Sequence, residues 1–264
     1  MKTIHRVSLS VSFNEKQAFG ALGIQLDEGF SSFDIEESDS RWPEVERLIE
    51  GFQAIDIATT KFSAKEIKQA KHLRAVVDNY QGCPEPSDNF GYLSVTYDCS
   101  DYCPECGCGL VQKAPFRIKL RPKHGRRHIF GLNWVFDELF ASTEAWEQVF
   151  KPYGLQARPI LDAKSGRELE RFVQLTIPQT DLSVDLTDFP SETCRHCGRT
   201  KWEPISRGHF PKLKSDCDLP LFKTTPYFGS GASAHHAVIM SPALYRAAKD
   251  AKLRGLSVMV LYSD

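Results

Sequence analysis

Two short segments hold the residues best suited to chemistry: Cys103-Pro104-Glu105-Cys106-Gly107 and Cys194-Arg195-His196-Cys197-Gly198. Each sets two cysteines two residues apart, a spacing that lets both sulfurs of one tight turn meet a tetrahedral centre about 2.3 Å away. Past the second sulfur the backbone must turn sharply, often into positive φ, which the trailing glycine does at almost no cost. Two such half-sites complete one four-sulfur site. The sequence therefore predicts one structural Zn2+ per chain, held by Cys103, Cys106, Cys194 and Cys197. Such a site is closed to water and substrate, so the metal is expected to support the fold, and the chain is expected not to be an enzyme.

Other partitions of the ligands stand beside this one. Two zinc ions would draw on Cys99, Cys103, Cys106 and Cys108 for one set, and on Cys194, Cys197, His209 and Cys217 for the other. Cys108 follows immediately after a glycine, where its sulfur need not face the same centre. A thioredoxin-like redox pair is the third option, but such motifs open a helix after a strand and do not come twice with trailing glycines. His196, inside the second knuckle, reads as exposed and not as a ligand.

No HExxH, GxSxG, Walker A or GxGxxG pattern occurs. The small-residue run from Thr225 to Ala234, followed by His235 and His236, is the one stretch with enzymatic potential. Its backbone could approach a phosphate, with the histidines as acid and base. The plainer reading is a flexible loop leading into a strand over Ala237–Met240.

The 264 residues suffice for one large or two modest domains, and the net charge of −1 gives no global drive toward nucleic acid or membrane. That balance conceals an uneven distribution. Residues 1–60 hold eleven acidic and five basic residues, while residues 111–130 hold seven basic residues and no acidic one. Within the basic stretch, Phe116-Arg117-Ile118-Lys119-Leu120-Arg121 alternates strictly, with Arg117, Lys119 and Arg121 on one face. Pro122 to Gly125 reads as a turn, and Arg126 and Arg127 begin a return strand. The expected product is a two-stranded ribbon with one basic face. It is suited to an acidic protein partner or a phosphate backbone, or is simply solvated. No export signal or apolar span is visible, so a cytoplasmic location is expected, with the eight cysteines reduced.

The elements that must position these residues read as α+β, with mixed antiparallel sheets and a few helices stapled by the zinc-ribbon-like site. Residues 3–13 alternate as a strand. Trp42-Pro43-Glu44 opens a helix to about Gly51, and Ser63 with Glu66 forms a capping box for another running toward Leu73. The loop Gly82–Asp88 suggests a boundary between a region 1–88 and a double-knuckle region 89–264. Tyr92–Tyr97 alternates as a strand into the first knuckle. Trp134, Phe136, Phe140, Trp146 and Phe150 are expected in the core. After each knuckle comes a serine-capped helix, a glycine-leucine pair and a strand: Ser142, Gly154-Leu155, then 158–161; and Ser241, Gly255-Leu256, then 257–262. This echo raises the possibility of an internal duplication.

The paired Cys-x-x-Cys-Gly motifs at 103–107 and 194–198 resemble the double-CXXCG motif family, first grouped as a myxobacterial paralogous set. The tail is similar too, with Ile239-Met240-Ser241 opening a terminal helix, then Gly255-Leu256 and a last strand. The resemblance covers mainly residues 92–264. It implies no catalytic residues and carries over only the four knuckle cysteines. Some members of that family are immunity proteins against a swarming-inhibition toxin passed between neighbouring cells. The resemblance therefore implies a cognate toxin as partner.

Overall fold

The computed structural model describes residues 1–119 and 128–262. The chain divides into two compact units, Met1–Lys68 with Ile205–Phe210, and Gln69–Pro204 with the chain from Pro211 onward. The division falls earlier than the loop at residues 82–88 suggested, because Leu73–Val77 is a strand of the second unit's sheet.

The first unit is a three-stranded antiparallel sheet of β1 (Lys2–Val11), β2 (Gly29–Glu36) and β3 (Ile55–Lys61), with β1 in the centre. Alternation along β1 turns His5, Val7, Leu9 and Val11 inward. They pack with Phe19 from α1 (Phe13–Ala21) and with Trp42, Val45 and Ile49 from α2 (Trp42–Gly51). The last three recur at helical spacing and present one apolar stripe. The predicted Ser63 capping box forms: the Ser63 N–H donates to Glu66 at 2.7 Å, and the Glu66 N–H donates to the Ser63 hydroxyl at 3.2 Å. The helix it opens, α3 (Ala64–Gln69), stops short of Leu73.

The second unit begins with that strand, β4 (Leu73–Val77). Next comes α4 (Tyr92–Thr96), where alternation had suggested a strand. Tyr92 and Thr96, the buried pair, are four apart and suit a helix face equally well. Two short strands, β5 (Tyr97–Asp98) and β6 (Val111–Gln112), form a hairpin. A five-stranded sheet then assembles from β7 (Arg117–Ile118), β8 (Ile129–Leu132), β9 (Val135–Ser142), β10 (Ala157–Asp162) and β11 (Glu168–Leu175), in the order β7-β10-β11-β9-β8. Between β9 and β10 the chain passes through α5 (Thr143–Ala145), capped by Ser142 and continued by helical turns to Tyr153. A six-stranded sheet, ordered β12-β13-β14-β15-β4-β16, adds β12 (Ser191–Thr193), β13 (Thr200–Trp202), β14 (Leu221–Phe228), β15 (His235–Met240) and β16 (Leu256–Val260) to β4. Ser241 caps α6 (Pro242–Asp250) by accepting from the Leu244 N–H at 3.2 Å.

Both sheets contribute to one core. Ala75 and Val77 of β4, Leu139 and Ala141 of β9, Val238 and Met240 of β15, and Leu244 and Ala248 of α6 belong to one buried cluster. The sequence echo extends to topology. The β8–β9 and β14–β15 hairpins each lead through a serine-capped helix into a further strand, β10 or β16. That strand is separated from the hairpin by one strand antiparallel to both neighbours: β11 in one case, β4 in the other.

The basic ribbon does not form as expected. β7 pairs in parallel with β10, and β8 pairs with β9, which places β7 and β8 at opposite edges of their sheet. Arg117 is exposed between buried Phe116 and Ile118, so the alternation holds locally. Lys119 is ion-paired with Glu85 at 3.0 Å. Arg121, Arg126 and Arg127 lie outside the described residues. Trp134 and Phe136 depart from the expected core as well, at 40% and 46% exposed, whereas Phe140 and Phe150 are fully buried and Trp146 packs against the core.

Candidate metal centre

Each knuckle is the tip of an antiparallel hairpin, the first on β5–β6 and the second on β12–β13. Their backbones match atom for atom. The Gly107 N–H donates to the Cys103 carbonyl and the Gly198 N–H to the Cys194 carbonyl, both at 2.8 Å. The Cys103 N–H donates to the Cys108 carbonyl and the Cys194 N–H to the Arg199 carbonyl, both at 2.9 Å. Gly107 and Gly198 adopt φ of 82° and 74°, the left-handed turn that lets the chain leave past the second sulfur.

The two tips bring Cys103, Cys106, Cys194 and Cys197 together, with all four sulfurs within 4.8 Å of one another. Cys103 Sγ lies 3.8 Å from Cys194 Sγ, and Cys106 Sγ lies 3.6 Å from Cys197 Sγ. A tetrahedron with metal–sulfur bonds of about 2.3 Å has edges of about 3.8 Å. A disulfide needs about 2.05 Å, so these are four thiol sulfurs placed for one ion and not two bridges. The donor set can hold a metal ion. Contacts run between like positions, first cysteine to first and second to second, as a local twofold relation would give.

The rival partition is not assembled. Among the described residues, these four cysteines form the one group of three or more His, Cys, Asp or Glu side chains placed to hold an ion. The Cys99 thiol faces the Leu93 and Tyr97 carbonyls at 3.5 and 3.7 Å. Cys108 is fully buried against the cluster without joining it, and His196 is exposed, as its position in the turn implied.

The surroundings of the two knuckles differ. The first is buried and the second half-exposed. Burial pushes the Cys103 and Cys106 thiols up to about 11. On the second knuckle, a backbone hydrogen bond at Arg199 brings Cys197 down to about 7, and the backbone at Cys197 and His196 lowers Cys194. Ligation needs thiolates, so an ion entering here must displace protons, chiefly from the first knuckle.

Side chains with no motif around them lock the knuckles. Lys201, on β13, is 5% exposed, and its ammonium donates to the carbonyls of Cys106 at 2.9 Å, Ser233 at 3.0 Å and Gly231. Arg199 donates to the Asp101 carbonyl at 2.9 Å and pairs with its carboxylate, tying the second knuckle to the approach of the first. Both cations stand beside a cluster that becomes anionic on ligation. Lys201 sits in no motif; only its place between Thr200 and Trp202, facing opposite to both in a strand, could have marked it.

The glycine-rich run also belongs to this structure. A Cβ on Gly107 would come within 2.3 Å of the Ala232 carbonyl oxygen, so the loop lies directly on the first knuckle. Its Gly231 and Ser233 carbonyls face Lys201, an arrangement that receives a cation and not a phosphate. His235 and His236 open β15, which starts two residues earlier than the strand expected from Ala237. Burial lowers both histidines, His235 to about 4. Beside them, Lys223 is buried with Glu138 at 2.5 Å and Asp137 at 3.4 Å, and Gln174 donates to Glu138 at 2.9 Å.

Comparisons with protein-family models, with curated proteins and with solved structures gave no match to this chain. Among the described residues no helix is long and apolar enough to cross a membrane.

Proposed function

We propose that this chain is a non-catalytic, zinc-containing binding protein of the double-CXXCG kind, acting in the cytoplasm as an immunity protein that occludes a cognate toxin. The observation that carries the reading is the convergence of both Cys-x-x-Cys-Gly knuckles on a single four-sulfur cluster, 91 residues apart in sequence. Zinc suits an all-thiolate tetrahedral set, and with four protein ligands it has no open position for chemistry. The metal then acts as a clamp across a long chain segment, contributing its binding free energy to folding. Recognition falls to the surface that the clamp holds in shape. A nucleic-acid role gains no comparable support, since the strands expected to make a basic ribbon sit at opposite sheet edges.

Two measurements test this. Native mass spectrometry of the purified chain is expected to show one zinc, lost in Cys103→Ser and in Cys194→Ser alike; two ions, or none under reducing conditions, would overturn the shared site. For function, the chain is co-expressed with the product of each adjacent gene. One product is expected to arrest growth alone, to be neutralised by this chain, and to co-elute with it at fixed stoichiometry. Absence of both rescue and complex would overturn the immunity reading and leave the zinc assignment intact.

A further inference from the structure

A cavity of about 810 Å³ lies within the second unit, lined by residues of β9, β11, β14 and β15. Its size is that of a pocket for a small organic ligand. Asp137, Glu138, Lys223 and His236 all line it, and their contacts show which of their atoms is left for a ligand.

Glu138 is engaged through both oxygens. Its Oε1 meets the Lys223 ammonium at 2.5 Å, and its Oε2 accepts from Gln174 at 2.9 Å. Asp137 makes both of its contacts through Oδ2, which lies 3.4 Å from the Lys223 ammonium and accepts from the His236 N–H at 3.2 Å. Asp137 Oδ1 has no hydrogen-bond or ion-pair partner among the described residues, and it is not among the buried, unpartnered atoms. The side chain is 17% exposed on a cavity wall, so Oδ1 is the oxygen open to that space. Burial opposes the charge of Asp137, but Lys223 and then His236 hold its carboxyl below the usual aspartate value. An ionised carboxylate oxygen is a strong acceptor. Beside it, His236 Nδ1 lies 3.3 Å from the Pro226 carbonyl, so Nδ1 donates there and Nε2 remains as a second acceptor. Two carboxylates already share one ammonium, so the charge this group can still balance is positive. Arg158, the other cation of the lining, stands on β10, with β11 between it and β9.

Aromatic rings supply the apolar part of the lining. The Tyr227 ring lies 4.3 Å from that of His236, and the Phe136 ring 5.5 Å from that of His235. Tyr97, Tyr92 and Trp134 follow in a row, with centroids 6.3 and 6.0 Å apart. The Trp134 ring is held there at a cost to the backbone. Leu132 pairs with Val135, so Asn133 and Trp134 form the two-residue turn of the β8–β9 hairpin. Trp134 takes the second position with φ 69°, where a turn ordinarily places glycine. Strain of this kind is kept where a site needs it. Ring faces are electron-rich and attract cations. An open carboxylate oxygen among such rings defines its complement: a cationic donor on a flat, apolar body.

We propose that this cavity binds an aromatic amine in its ammonium form, donating to Asp137 Oδ1, with its ring system against Trp134 and the neighbouring rings. This is a second site beside the metal centre and does not depend on the toxin reading. Gly107 and Leu110, from the first knuckle and just beyond it, also line the cavity, so the clamp and the cavity share structure.

The test uses the full zinc-loaded chain at neutral pH with three probes of similar shape: cationic tryptamine, neutral indole-3-ethanol and anionic indole-3-propionate. Binding is followed by calorimetry and thermal melting. Tryptamine is expected to bind about tenfold tighter than the alcohol or better, to raise the melting temperature, and to outbind the acid by more. Asp137→Asn is expected to remove the preference for amine over alcohol. Trp134→Gly, in which glycine relieves the turn, is expected to fold and to bind tryptamine about tenfold more weakly. Should Asp137→Asn fail to fold, the three-probe comparison on the unmodified chain and the Trp134→Gly result decide. Absence of tryptamine binding, equal binding of amine and alcohol, tighter binding of the acid, or undiminished binding by Trp134→Gly would overturn the proposal.

Discussion

The buried ammonium of Lys201 donates to the carbonyl of Cys106 at 2.9 Å, across 95 residues of sequence. Its other two acceptors, the Gly231 and Ser233 carbonyls, belong to the loop lying on the first knuckle. One side chain from the second knuckle's hairpin thereby fixes the backbone that carries the first knuckle's sulfur. Lys201→Met removes the donor and leaves three carbonyls short of a partner, at a cost of about 3 kcal/mol or more. Because outer-shell partners orient ligands, zinc affinity is expected to fall about 10- to 100-fold in competition with a chromophoric chelator. A chain that melts lower with unchanged zinc affinity would place Lys201 in the fold and outside the metal site.

The two trailing glycines offer an internal control. Both sit at positive φ, but a Cβ on Gly107 meets the Ala232 carbonyl at 2.3 Å, while a Cβ on Gly198 meets nothing within 4 Å. Gly198→Ala is expected to cost only the left-handed penalty, about 1–2 kcal/mol. Gly107→Ala must also displace the loop, and is expected to cost more and to lower zinc occupancy. Equal melting temperatures for the two variants would mean that the loop packs less tightly on the first knuckle than these distances require.

What the sequence revealed and what it hid follow from the range of the interactions involved. The knuckles, the Ser63–Glu66 capping box and the Ser142 and Ser241 caps are local chemistry, complete within a few residues, and all were readable. The register that inserts β4 between β15 and β16 joins residues more than 160 positions apart, as in Ile239 opposite Arg74, and no local pattern encodes it. The segment 116–130 alternates like a hairpin, yet its two ends find better partners in β10 and β9. Alternation at 92–97 misled because Tyr92 and Thr96 satisfy both strand and helix spacing. Residue type alone places Trp134 in the core; its exposure follows from a turn whose left-handed position holds a tryptophan.

Beside the histidines, two neighbouring carboxylates face one buried lysine. Lys223 lies 2.5 Å from Glu138 and 3.4 Å from Asp137. Burial raises Glu138, while Asp137, though buried, is held low by Lys223 and then His236. Both carboxylates face the one buried ammonium, Glu138 at the shorter distance. Asp137→Asn is expected to destabilise by about 3–5 kcal/mol, as when one member of a buried pair is removed. Glu138→Gln keeps the shape but turns an amide NH2 toward either the Lys223 ammonium or the Gln174 amide, both donors, and is expected to destabilise as well. Denaturant melts of the two variants at neutral pH check this; a variant as stable as the unmodified chain would mean that its carboxylate does not help to hold Lys223 in place.

His235 makes the stability of the second unit sensitive to acid. Its ring is held near a pKa of about 4, first by burial, with Arg74, His236 and Lys201 also opposing the charge and Asp137 favouring it. An unfolded histidine has a pKa near 6.5, so between about 4 and 6.5 the unfolded chain binds the proton that the folded chain refuses. Stability in that window must rise with pH, and acidification from 6.5 toward 4 removes up to about 3 kcal/mol through this residue. Above 6.5 both states are neutral and the contribution is flat. His235→Phe suits a site already contacted by Phe136 and Phe228 and removes the buried, unpartnered Nδ1. Its melts, compared with the unmodified chain at pH 7 and pH 4.5, are expected to show the variant gaining relative stability as pH falls. The metal site is common to both chains, so its own acid sensitivity cancels in the difference. Parallel pH profiles would mean that His235 accepts its proton in the folded state at an ordinary pKa.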